Sequence, residues 1–191
     1  MSVDMAKFKL SAEQAVLVVI DIQERLVPAM PHDIYLRLRD TVGILVKAAG
    51  LLDIPVVTTE QYPKGIGHTV PELAEACQGS VVEKVSFGCC GEPDFLAVLK
   101  KTGRSQVIVT GMEAHVCVYQ TVLGLLEGGY HVHLVRDAIC SRNKNDFLAG
   151  VANSAEAGAV VTTAETVLFQ MLRESTHAQF KAVSKLIKER G

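Results

Sequence analysis

Residues 107–129, VIVTGMEAHVCVYQTVLGLLEGG, decide how the rest of the chain is read. The β-branched run Val107, Ile108, Val109 and Thr110 predicts a buried strand. A sharp turn at Gly111 then leads into a helix, marked by Val118, Val122, Leu125 and Leu126 at helical spacing and stopped at Gly128-Gly129. Cys117 falls in the first turn of that helix. Unpaired N–H groups and the positive end of the helix dipole favour a thiolate there, the form that attacks carbon. A free cysteine is equally at home as a small core residue, so this stretch alone leaves both roles open.

Working outward, the same pattern repeats. Ala15–Ile20 (AVLVVI) is a continuous apolar run ending at Asp21, as expected of a strand covered on both faces. Ile34, Leu38, Val42, Leu45, Val46 and Ala49 give a helix over Asp33–Leu52, with Asp33 as its expected cap. Val56–Thr59 predicts a second strand, followed by a polar loop over Glu60–Thr69 and a short helix over Pro71–Cys77. Val81-Val82 marks a third strand leading into Glu83-Lys84, and Pro93–Thr102 a helix with proline at its start. After the fourth strand, Val107–Thr110, come a fifth at His131–Val135, a helix over Lys144–Ala157 and a sixth strand at Ala159–Thr162. Helices around Ala164–Arg173 and His177–Arg190 close the chain. Alternating strands and helices predict a doubly wound parallel sheet in an α/β protein.

Composition sets the bounds. At 191 residues, 49% of them apolar, the chain suits one domain over 1–191 with a substantial core. It has no uninterrupted apolar run long enough to span a membrane. The early acids and the missing apolar core of MSVDMAKFKLSAEQ argue against a secretory signal. A formal net charge of −2 with interspersed signs offers no footprint for nucleic acid. Cys77, Cys89, Cys90, Cys117 and Cys140 are odd in number and irregularly spaced, which fits reduced thiols in the cytoplasm better than a disulfide framework. A mitochondrial association stays open. Without a CxxC pair, no structural zinc is expected.

Ligands of doubly wound sheets sit beyond the carboxyl ends of the strands. Those ends carry Asp21, Glu60, Lys84, Cys117 and Asp137. Three of them make a chemical set. A carboxylate beside a thiol can take its proton as it attacks, which suits Asp21 as base for Cys117. Lys84 would favour both anions by Coulomb attraction, and N–H groups at the start of the Cys117 helix would hold an oxyanion.

Asp21 within VVIDIQERLV, Lys84 within VVEKVSFG and Cys117 within VTGMEAHVCVYQT resemble the three catalytic motifs of the isochorismatase-like cysteine hydrolases, a family that includes nicotinamidases and N-carbamoylsarcosine amidohydrolases. TEQYPKGIGHTVPEL is similar to the isochorismatase domain-containing subgroup. The resemblance implies a three-layer α/β/α fold around a six-stranded parallel sheet, assembled as dimers or tetramers. It implies Asp21 as base, Lys84 as electrostatic partner and Cys117 as nucleophile on a small amide or carbamoyl substrate. It also implies a cis bond between Met112 and Glu113, with the Glu113 and Cys117 N–H groups facing the oxyanion. The nicotinamidase metal motif, Asp-x-His, is replaced here by Thr58-Thr59-Glu60-Gln61-Tyr62, so neither a metal nor another cofactor is expected. Cys117 also argues against isochorismate itself, which family members lacking that cysteine cleave.

Gln23, Tyr62, Phe87 and His115 flank these motifs and are candidate substrate contacts. His131 and His133 share one strand face, better suited to structure than to metal binding. Cys89-Cys90 is expected near the pocket mouth. A catalytically silent binding or assembly protein and an RNA-associated protein are the competing functions.

Overall fold

Ala15–Ile20 forms strand β1, buried at every residue. A strand without a polar face needs cover on both sides, and the architecture supplies it. The computed structural model describes residues 5–77 and 79–189. After β1 come α1 (His32–Leu51), β2 (Val56–Gln61), α2 (Pro63–Ile66), α3 (Pro71–Ala74), β3 (Ser80–Lys84), α4 (Pro93–Lys101) and β4 (Gln106–Met112). Then follow α5 (Tyr119–Glu127), β5 (His131–Cys140), α6 (Lys144–Ala157), β6 (Val160–Thr162), α7 (Ala164–Leu172) and α8 (Phe180–Lys188). Arg190, the expected end of the last helix, lies outside the described residues.

The six strands form one all-parallel sheet in the order β3-β2-β1-β4-β5-β6. Alternate residues of β1 feed two cores. Leu17 and Val19 join Ile108 and Val135 under α1, α7 and α8. Val16, Val18 and Ile20 join Val107, Val109 and Leu134 under α4, α5 and α6. This is the three-layer α/β/α fold expected from the sequence. Among the described residues, no helix is long and apolar enough to cross a membrane.

The strand order reverses between β1 and β4, and crevices form where neighbouring connections leave a sheet in opposite directions. Asp21 follows β1 and Glu113 follows β4, so both stand at that reversal. Gly111 does not end the strand, as expected, but lies inside β4 opposite Ile20. It sits at φ 114°, and a Cβ there would overlap the carbonyl oxygen of Ile20. Only glycine lets the two strands approach this closely at such a φ.

Other boundaries shift for identifiable reasons. The α1 cap position is Pro31, and Asp33 sits in the first helical turn. Strand β5 runs on to Cys140 after a register shift opposite Val109 and Gly111, so Asp137 lies within the strand instead of after it. The last turn before α5 is a π-type turn over Ala114–Val118.

Two outcomes follow from this packing. Gly111→Ala combines backbone strain with a main-chain overlap and is expected to destabilise the fold by on the order of 3 kcal/mol in urea unfolding. His133 is buried, its Nε2 has no hydrogen-bond partner, and burial aided by His131 pulls its pKa down to about 4. The folded chain therefore binds fewer protons than the unfolded one between the ordinary histidine value and pH 4. Stability is full above the unfolded pKa of about 6.5 and falls by ~3 kcal/mol as the pH approaches 4. His133→Leu should flatten that part of the urea-midpoint profile.

Candidate active site

Parallel pairing of β1, β2 and β3 brings four polar residues together. Ile20 pairs with Thr59, which sets Asp21 beside β2, and Gln61 pairs with Lys84. Asp21 turns out of β1 at φ 51°, a conformation Asp tolerates better than most residues. Its Oδ1 accepts a hydrogen bond from Thr59 Oγ1 at 2.8 Å, and its Oδ2 lies 2.7 Å from Lys84 Nζ. Both side chains are wholly buried. The Lys84 ammonium directs its protons at Gln61 Oε1 (2.6 Å), Phe87 O (2.9 Å) and Ser86 O (3.1 Å). Its contact with Asp21 is therefore Coulombic, and Oδ2 has no directed hydrogen-bond donor from those protons. A buried carboxylate oxygen left in this way is open to a donor that comes and goes.

The Cys117 thiol lies within reach of the charges of this pair. Cys117 is 7% exposed, and both Asp21 and Lys84 act on its thiol. Burial first, and then the Asp21 charge, push the thiol up to about 12, while Lys84 pulls the other way. The sequence led to the opposite expectation, a thiolate favoured by the helix N-terminus and Lys84. The resting state is a neutral thiol near an ion-paired carboxylate.

The peptide joining Met112 and Glu113 is cis, as the family resemblance implies. Glu113 O accepts from Val116 N (3.0 Å) and Val118 N (3.2 Å), which shapes the turn carrying Cys117. The Glu113 carboxylate is buried and receives Arg142 N and Nε. Its side chain therefore belongs to the scaffold of the turn.

The other candidates divide. Gln23 is fully buried; its Nε2 donates to Gln61 O and Gly67 O, and its Oε1 accepts from Gln61 N. It fastens the 62–70 loop to β2. Tyr62 is 54% exposed and, with Lys84, Val85 and Glu92, lines a small cavity of about 290 Å³. Phe87 is exposed, and its carbonyl holds Lys84. His115 is half-buried with Nδ1 3.0 Å from Ser141 Oγ.

Glu60 and Asp137 do not join the set. Burial works to raise the Glu60 carboxyl, but bonds from Thr69 N, Thr69 Oγ1 and His68 bring it below its ordinary value. Asp137 Oδ1 accepts Ala164 N at 2.8 Å, at the start of α7. No group of three or more metal-ligating side chains occurs among the described residues. Cys89 is not at a pocket mouth but fully buried beside the ion pair, its thiol 3.8 Å from Thr59 Oγ1 and pushed up to about 11 by burial. Cys90 packs under α5 against Thr121 O.

Sequence reasoning missed Thr59, Gln61 and Thr121. Thr59 and Gln61 anchor the ion pair. Thr121 Oγ1 donates to Cys117 O at 2.6 Å and accepts Cys89 N at 3.0 Å. The period-two rule applied to Thr59 and Gln61, two apart and flanking Glu60, was the available signal.

Comparisons with known proteins identify the family and the fold. The isochorismatase domain matches residues 15–166. Isochorismatase family protein 1A of Dictyostelium discoideum is 36% identical over 190 residues, covering 95% of this chain and 89% of its own. Isochorismatase domain-containing protein 2A of Mus musculus is 37% identical over 182 residues, 93% of this chain and 84% of its own. A Caenorhabditis elegans structure, described as MAR1 ribonuclease, superposes with TM-score 0.88 at 38% identity, covering 94% and 92% of the two chains. The chain belongs to the isochorismatase family and has its hydrolase-like α/β fold.

The thiol's environment makes a prediction of unusual sign. Asp21→Asn removes the charge that raises the Cys117 thiol and leaves Lys84 beside it. Each unit by which the thiol falls gives about tenfold more thiolate at neutral pH. Alkylation of Cys117 by iodoacetamide, followed by peptide mass spectrometry, should therefore accelerate by about tenfold or more. A slower rate in a folded variant would contradict the assignment.

Proposed function

We propose that this chain is a metal-independent cysteine hydrolase acting on a small amide or carbamoyl substrate. The observation that carries the reading is Asp21 Oδ2: buried, ion-paired to Lys84 at 2.7 Å, without a hydrogen-bond donor, and carrying a charge that acts on the Cys117 thiol. Because the resting thiol is neutral, attack and deprotonation go together. Sγ forms a bond to the carbonyl carbon as its proton passes to Asp21, and the carbonyl π electrons move onto oxygen. The Glu113 and Cys117 N–H groups receive that oxyanion. Collapse expels the nitrogen, which takes the proton from Asp21, and leaves a thioester or thiocarbamate. Water, deprotonated by Asp21, attacks the same carbon, and the sulfur leaves to regain its proton. Lys84 holds Asp21 in place through both halves. Tyr62, Phe87 and His115 are assigned to the substrate side.

We further take the chain as one domain working as a homo-oligomer in a reducing, cytoplasmic setting. Support comes from the five free thiols and from apolar Val81, Val85 and Phe87, exposed on β3 and its following loop, with Leu96 exposed on α4. The Escherichia coli protein YcaC, 22% identical with TM-score 0.82 and coverage of 95% of both chains, is described as an octameric hydrolase of unknown specificity.

The description of the C. elegans protein as a ribonuclease favours a second reading. A net charge of −2 weighs against it. A catalytically silent binding role is the remaining alternative. The three separate in one set of assays. Cys117→Ala and Asp21→Asn should each lower hydrolysis across a panel of small amides and carbamates by at least about a thousandfold. In Asp21→Asn this loss should accompany faster alkylation with the urea midpoint and circular dichroism of a folded chain, because unfolding would also expose the buried thiol. Hydrolysis unchanged in Cys117→Ala refutes the mechanism. RNA cleavage that survives Cys117→Ala supports the second reading, and no turnover on either panel supports the silent one.

A further inference from the structure

The register shift in β5 builds a feature that the proposed reaction does not use. Val109 pairs with Leu134, but Gly111 pairs with Ile139, so the residues between leave the ladder and Arg136 emerges exposed. Bulges re-aim side chains in this way. Between the bulge and the beginnings of α1 and α6 lies a cavity of about 710 Å³, a size typical of small-molecule sites. Ile34, Leu38, Phe147 and Leu148 give it apolar walls, with Ile34 and Leu148 exposed at the lip. Arg37, Arg136 and Lys144 also line it. Among the described residues, no carboxylate forms an ion pair with any of these cations. The acid in the wall, Asp137, is engaged by the Ala164 N–H. Asp21, Lys84 and Cys117 contribute nothing to the lining.

We propose that this cavity binds a small amphipathic anion, an oxyanion head group carried on an apolar body. Three cations against the carboxylate of Asp137 leave the lining net positive, and a bound oxyanion offsets that charge. Two guanidinium forks offer it paired donors, while the apolar walls take the rest of the ligand. A second copy seated through the same face about a two-fold axis would set the three cations against their own equivalents, so the charge pattern selects a small anion over self-association.

The test titrates the full chain with octyl phosphate and octanoate by calorimetry at low salt, with octanol and octylamine as controls. Saturable one-to-one binding of an anion, at least tenfold tighter than either control, is expected. Tighter binding of octyl phosphate assigns a phosphate head, and tighter octanoate a carboxylate. The double variant Arg37→Gln/Arg136→Gln should weaken anion binding at least tenfold, and Ile34→Glu should do the same from the apolar lip, both with unchanged circular dichroism. The proposal is overturned if neither anion saturates, if octanol binds as well, or if the double variant binds as tightly as the parent. It is equally overturned if the double variant leaves anion binding absent and instead lowers the sedimentation coefficient, since a second copy would then be the occupant.

Discussion

The buried pair of Asp21 and Lys84 sets the terms for everything around it. Two charges without solvent cost several kcal/mol each, and their mutual attraction offsets this only when every remaining proton and lone pair is placed. Lys84 meets the requirement with one side-chain amide and two carbonyls besides the carboxylate. Asp21 meets half of it, through Thr59. A pair of this kind is poor as a stabilising device, since apolar residues of similar volume would serve folding as well. Its presence at the strand-order reversal, with one buried oxygen left without a hydrogen-bond donor, fits a chemical role better than a structural one.

Magnitudes explain why the thiol stays protonated. A helix N-terminus stabilises an anion by roughly 0.3–1 kcal/mol, up to ~2 in favourable partly buried geometries. Moving a thiol from its ordinary 9 to about 12 corresponds to about 4 kcal/mol against the thiolate. Burial and the neighbouring carboxylate outweigh both the helix and Lys84. In the reaction proposed above, the Asp21 charge that disfavours the thiolate at rest is also the base for its proton, which ties deprotonation to the arrival of an electrophile.

Much of this was legible in the sequence because it is written in unbroken apolar runs. Ala15–Ile20 and Val107–Thr110 could be little other than central strands, and a residue ending such a run stands at the mouth of the sheet. That placed Asp21, Lys84 and Cys117. The strand Val56–Gln61 hid its last two residues, because Glu60 and Gln61 carry no apolar signal and read as the start of a loop. Gln61 was lost there, and Thr59, though read as strand, shows nothing of its partner along the chain. Their roles depend on which residue each faces across β1 and β3, a matter of register. The protonation state of Cys117 was misjudged for a similar reason: burial is a property of the packed molecule, whereas the helix dipole can be read along the chain. Gln23 was rightly singled out by position, but the two carbonyls it reaches, Gln61 O and Gly67 O, make it a loop clamp.

The extended end of β5 links these observations. Without the bulge, β5 would stop near Val135, as its apolar pattern suggests. By continuing to Cys140 it restores pairing with Gly111 and Met112, immediately before the turn that carries Cys117. The next residues reach the same turn from outside: Ser141 holds the His115 ring, and Arg142 holds the Glu113 carboxylate. The geometry of the Cys117 turn is thus fixed from β4 by Gly111 and from β5 by its displaced register. The register shift that releases Arg136 toward one cavity is the same shift that lets β5 reach far enough to brace the thiol.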